Sequence, residues 1–129
     1  MKKQVFLSYD LNTDVKLKDI FLKEQEKNNF PFEVVNFSNS SSNKDNFEKI
    51  TKSIKKSDLV IVLCSSETEN AENVTDELSV AIENNIPYIL LNGKKETNIS
   101  VPKNASQQDC IYTWSTDNLH LLYYKLFLM

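Results

Sequence analysis

Two rhythms of apolar and polar positions alternate along the chain. Residues 59–63 (Leu-Val-Ile-Val-Leu) are an unbroken aliphatic run, the pattern of a central parallel strand covered on both faces. Residues 4–9 form a β-rich run near the start, which predicts another central strand, whereas residues 32–37 alternate and belong nearer an edge. Residues 87–91 and 110–113 complete five strands. Between them the spacing turns helical. Thr13 or Asp14 is placed to cap a first helix with Val15, Ile20, Phe21 and Leu22 as its apolar face, ending near residues 27–29. A second helix over residues 44–56 carries Phe47, Ile50, Thr51 and Ile54, with acids early and lysines late to complement the helix dipole. In a third, Val74, Leu78, Ala81 and Ile82 fall on one stripe, and Glu77 borders that stripe instead of opposing it. Thr116 caps a last helix in which Leu119, Leu122, Tyr123 and Leu126 pack inward. Residues 38–43 read as a polar loop, 92–95 as a turn and 99–104 as an irregular connection. Alternating strands and helices predict one domain over residues 1–129, a three-layer α/β sandwich with a five-stranded parallel sheet in the order 2-1-3-4-5.

Composition narrows the chemistry. The net charge of −3 and the absence of a basic block argue against nucleic acid as a partner. All 15 basic residues are lysine, so no bidentate guanidinium clamp for phosphate is available. Gly93 is the sole glycine, which excludes a P-loop and a glycine-rich dinucleotide fingerprint. Cys64 and Cys110 are not spaced as a metal pair and read as small buried apolar residues in a reducing cytosol. No apolar run approaches about 18 residues, and no signal-peptide core follows the first methionine. A cytoplasmic protein without membrane contact or bound metal is expected.

The polar cluster Ser65, Ser66, Glu67 and Thr68 follows the third strand directly, and ligands of open parallel sheets bind outside the carboxyl ends of the strands. A phospho-receiver needs an aspartate at that strand end, where Cys64 and Ser65 stand instead. Asp76 and Glu83 read as surface charges, His120 has no ligand partner in sequence, and Trp114 reads as a core or cap aromatic.

Residues 5–10 (Val-Phe-Leu-Ser-Tyr-Asp) resemble the opening box of Toll/interleukin-1 receptor (TIR) domains. Residues 60–68 followed by Val74-Thr75-Asp76-Glu77 are similar to the third strand, its loop and the next helix of the TIR-like family that includes the ThsB proteins of Thoeris anti-phage defence. Residues 111–114 and then Asn118 and Leu119 resemble the end of that family. The resemblance implies a flavodoxin-like fold. It also implies cleavage of the nicotinamide-ribose bond of NAD+ and synthesis of a cyclic ADP-ribose-type nucleotide that activates a separate effector, in response to a phage-derived trigger and with homo-oligomers as an assembly. The catalytic glutamate of the family falls on Glu77. Where many members carry a tryptophan shortly before it, this chain has Asn73.

The chemistry of the residues is compatible with that assignment. Breaking an N-glycosidic bond passes through an oxocarbenium-like state that one carboxylate can stabilise, and nicotinamide leaves as a neutral molecule without a second acid. Phe6, Tyr9 and Phe37 are the expected stacking surface, and Ser8, Asp10, Ser38, Ser65 and Thr68 the polar groups expected in the same cleft. Ser8 and Tyr9 read equally well as groups that close the first strand, and Ser65, Ser66 and Thr68 as loop caps. Two other readings stay open: a non-catalytic TIR-like interaction or nucleotide-sensing module, and a relative of the nucleoside deoxyribosyltransferases, which place a catalytic glutamate on a helix near the same strand.

Overall fold

The computed structural model describes residues 2–28, 30–39, 44–92, 98–106 and 109–128, with the backbone alone at 44–46. Among the described residues five strands, β1 (Lys3–Ser8), β2 (Phe32–Phe37), β3 (Leu59–Cys64), β4 (Tyr88–Asn92) and β5 (Ile111–Thr113), alternate with four α-helices, α1 (Val15–Asn28), α2 (Lys44–Lys56), α3 (Glu72–Glu83) and α4 (Thr116–Tyr123). All four strand pairings are parallel and the order is β2-β1-β3-β4-β5, as the patterning predicts. From position 40 the expected polar loop lies outside the described residues, as do 93–95 of the expected turn.

Period-two geometry divides the core in two. Leu59, Ile61 and Leu63 of β3 point to the face that also buries Leu17 and Phe21 of α1 and Leu119 and Leu122 of α4. Val60, Val62 and Cys64 point to the opposite face, under Ile50 and Ile54 of α2 and Val74, Leu78 and Ala81 of α3. Every residue of β3 is buried, which is why its sequence carries no polar alternation. On the first face Phe21 sits among Phe30, Phe32 and Trp114, with ring centroids 5.9, 6.4 and 5.3 Å away. His120 meets Phe30 edge-on.

The helix phases differ in part from the sequence reading. In α1 the pair Leu17 and Phe21, one helical turn apart, faces the sheet, Leu22 is half-buried, and Val15 and Ile20 are exposed. Ile82 is also exposed; Val80 and Glu77 are buried in its stead beside Val74, Leu78 and Ala81. Ser115, not Thr116, caps α4 by accepting the Asn118 N–H at 3.1 Å. Leu126 is exposed, in the π-helical turn over Tyr124–Leu128 that continues α4. Cys64 is buried as expected, and Cys110 is exposed at the start of the short edge strand. With a single glycine in the chain, α3 ends on Asn85 at φ 57°. Its N–H donates to Ile82, and the Ile86 N–H to Ala81, which closes a Schellman motif with asparagine in the left-handed position. Among the described residues no helix is long and apolar enough to cross a membrane.

Candidate active site

β1 and β2 run side by side and end together, so the residues that leave them meet at the carboxyl edge of the sheet. Ser8 closes β1, and Ser38 follows β2, its N–H held by the Leu7 carbonyl at 3.0 Å. Both serines are fully buried, and both aim at α3. Ser8 Oγ donates to Glu77 Oε1 at 2.7 Å and Ser38 Oγ donates to the same oxygen at 2.6 Å. Around this centre the Tyr9 N–H donates to Ser38 Oγ, the Tyr9 hydroxyl donates to the Ser38 carbonyl at 2.6 Å, and the Asn73 amide donates to the Tyr9 carbonyl at 2.9 Å. Strand ends 69 and 39 residues away in sequence are thereby tied to one carboxylate.

Glu77 is 2% exposed, and its burial raises the carboxyl pKa from 4.5 to about 7. Hydrogen bonds from Ser38, Ser8 and Asn73 pull in the other direction by stabilising the charge, and the nearby Asp76 carboxylate adds to the rise. Burial first, then the charges of Glu77 and Asp19, push the Tyr9 phenol up to about 12, so it remains a proton donor.

A cleft of about 210 Å³ opens between α2 and α3. Glu77, Asn73, Asp76 and Glu72 line it from α3, Phe47 and Ile50 from α2, and Asn39 from the end of β2. Small-molecule sites commonly measure about 300–1,000 Å³, so this one is sized for a single ring or sugar. Glu72 and Asp76 also border a wider cleft of about 410 Å³ on their other side, where Lys103 stands.

The structure sorts the expected site residues into separate groups. Ser8, Tyr9 and Ser38 join Glu77. Ser65 and Thr68 do not: Ser65 Oγ donates to the buried Asp14 carboxylate at 2.8 Å, and the Ser65 N–H donates to Thr68 Oγ1 at 2.7 Å. Ser100 completes this second cluster by donating to the Ser66 carbonyl and accepting the Glu69 N–H, which fastens the loop after β3 to residues 98–106. Asp10 accepts the Asn12 N–H and the Thr13 hydroxyl and shapes the loop after β1. Phe6 is 0% exposed inside the core and offers no stacking surface, and the Tyr9 ring is equally enclosed. Phe37 lies under the Lys18 ammonium, 4.8 Å from its centroid. The aromatic side chain that borders the Glu77 cleft is Phe47, which helical spacing alone assigns to the core. Its place in the first half of α2, just after the loop that leaves β2, is the sequence signal for a site residue. Among the described residues no three His, Cys, Asp or Glu side chains gather as a metal site.

A parallel sheet of this order, with helices on both faces and a buried carboxylate beyond the strand ends, defines a flavodoxin-like, TIR-like domain. Residues 6–98 match the family described as Thoeris protein ThsB, TIR-like domain, and the chain belongs to that family, the TIR-like proteins of Thoeris antiphage defence. No curated protein matches it.

Proposed function

We propose that this protein cleaves NAD+ at the nicotinamide-ribose bond and closes the remaining nucleotide into a cyclic ADP-ribose-type messenger for a separate effector. Glu77 carries the reading: a carboxylate withdrawn from water, held by two serine hydroxyls, and bordering a cleft large enough for one end of a dinucleotide. In the reaction the C–N bond electrons leave with nicotinamide, which departs neutral, and positive charge develops on the ribose. The ionised Glu77 carboxylate stabilises that charge at short range and in a poorly solvated place, where a fixed charge acts most strongly. Ser8 and Ser38 hold its orientation. A hydroxyl oxygen or ring nitrogen of the same nucleotide then bonds to the anomeric carbon, and the proton it displaces passes to solvent. The approach of a cationic pyridinium favours the charged carboxyl, opposing the effect of burial.

NAD+ serves as substrate, and no metal is required by this chemistry. A phage-derived trigger, homo-oligomers and a cytoplasmic location belong to the same reading. The test is to incubate the purified chain with NAD+, with and without lysate of infected cells, and to measure free nicotinamide and new nucleotides. Release that is lost in Glu77→Gln supports the proposal; release that survives the substitution removes Glu77 from it. Saturation of Oε1 by two hydroxyls favours a second reading, a module that binds the nucleotide without turnover. It predicts binding and no product in either condition. Deoxynucleosides offered beside NAD+ separate a deoxyribosyl transfer from both.

A further inference from the structure

The amino end of β4 carries two clefts that the reading of Glu77 leaves unused. The wider, of about 570 Å³, lies between the end of α3 and Asn104, Ser106 and Asp109, with Ile82, Ile86 and Pro87 as its apolar side. The narrower, of about 340 Å³, lies between the edge of the sheet and α4, with Tyr112, Leu122 and Leu126. Tyr88 and Asp109 line both, so the clefts meet at this pair and make one groove. A single exposed apolar side chain needs no explanation. Here one stands on each side of the meeting point, Ile82 at 42% and Leu126 at 38% exposure. Asp109 between them has a fixed orientation: its Oδ2 accepts both the Tyr88 hydroxyl and, at 2.8 Å, the Ser106 N–H. Among the described residues no donor is bonded to Oδ1, and no lysine lines the wider cleft. A carboxylate with one oxygen held by the protein and the other open is preorganised for a cation. The carboxyl end of α3, negative by its dipole, borders the same cleft. Lys125 on the narrower cleft disfavours a second cation there.

We propose that this groove docks an extended segment of a partner polypeptide, in which a lysine or arginine with an apolar residue two positions before and two after it places its charge on Asp109 Oδ1. An extended chain turns residues i−2, i and i+2 to one side, and the groove offers apolar, anionic and apolar surface in the complementary order. Docking of this kind is independent of the reading of Glu77. The groove is at the amino end of the parallel sheet and Ser8, Ser38 and Glu77 are at the carboxyl end, so the segment leaves the Glu77 cleft open.

Calorimetric titration of the purified chain with the capped peptide Ala-Leu-Ser-Lys-Ser-Leu-Ala, and with the same peptide carrying glutamine for lysine, reads the docking directly. The lysine peptide should bind about three- to fivefold more tightly, the scale of one exposed ion pair. D109N keeps a carbonyl oxygen for the Tyr88 hydroxyl and the Ser106 N–H but loses the charge, and should bring the two peptides to equal affinity. I82S and L126S, at exposed positions, should weaken both peptides and keep their ratio. E33Q, which removes an exposed charge from β2, should change neither affinity. Circular dichroism checks that each variant folds. Equal affinities in the wild type, a preference retained in D109N, unchanged affinities in I82S and L126S, or binding of neither peptide overturns the inference. Sedimentation of the chain alone adds one more outcome: a dimer that dissociates in both I82S and L126S would give the groove to a second copy and overturn the proposal. None of these measurements involves NAD+, so their failure leaves the reading of Glu77 as it stands.

Discussion

Replacing Glu77 by glutamine should stabilise the fold at pH 8 while abolishing the proposed turnover of NAD+. The carboxyl titrates near 4.5 when unfolded and at about 7 in the native protein. Below pH 4.5 both states are protonated, and the group contributes its full stability. As pH rises, the unfolded chain ionises first, so the native state binds more protons and stability falls until the pH passes about 7. Each pH unit of that window costs about 1.36 kcal/mol, which gives a loss of about 3 kcal/mol across it. Glutamine keeps the shape, exchanges hydrogen bonds with the same serines and does not titrate. Subtracting its unfolding free energy from that of the wild type cancels the other carboxylates. Urea unfolding followed by fluorescence of Trp114, the single tryptophan and a buried one, measures both chains from pH 4 to 8. The difference should grow toward the variant by about 3 kcal/mol over the window. Parallel profiles would refute the argument that desolvation of Glu77 outweighs its hydrogen bonds.

Ser8→Ala and Ser38→Ala each remove a donor to the charged carboxylate, a bond worth about 1.5–3 kcal/mol. Each should raise the Glu77 pKa further, destabilise the protein at pH 8 more than at pH 5 and move the acid limb of the proposed NAD+ turnover to higher pH. Ser115→Ala should cost about 1 kcal/mol in thermal or urea unfolding by removing the α4 cap, whereas Thr116→Ala should stay within about 0.5 kcal/mol. At Asn85, alanine should cost about 1 kcal/mol for a left-handed residue with a Cβ, and glycine should be tolerated or slightly stabilising. Equal effects at either pair would contradict the assigned cap and backbone geometry.

The strands were legible because burial on both faces demands aliphatic runs, and β3 is the clearest case. Alternation of elements and the right-handed crossover rule then lead to a doubly wound parallel sheet, for which 2-1-3-4-5 is a common default order. Helix phase was less legible: the period of α1 and α3 is visible in sequence, but whether Ile20 or Leu17, Ile82 or Val80 turns inward depends on which strand lies beneath. The exposure of Leu126, one turn after the buried Leu122, was not legible, because helical spacing alone does not tell where the last turn leaves the sheet. At the candidate site, Glu77 was legible through its position in a family pattern, and Ser8 and Ser38 through their positions at strand ends. The division between the Glu77 cluster and the Asp14–Ser65–Thr68 cluster was not legible, because it depends on where loop side chains find hydrogen-bond partners. Phe6 shows the same limit: it shares the face of Ser8 beneath α2 and α3 but lies two residues further from the strand end, inside the core.

The two serines that share Glu77 Oε1 should differ in how often they let go. Ser8 belongs to β1, flanked by β2 and β3, while Ser38 leaves β2, which pairs with β1 alone. Edge elements fray at lower free energy than inner ones. The Ser38 hydroxyl should therefore be the partner that detaches first during sub-global opening, and Ser8 the one that stays longer. The amides of Ser38 and Ser8 should then exchange with solvent deuterium at correspondingly different rates.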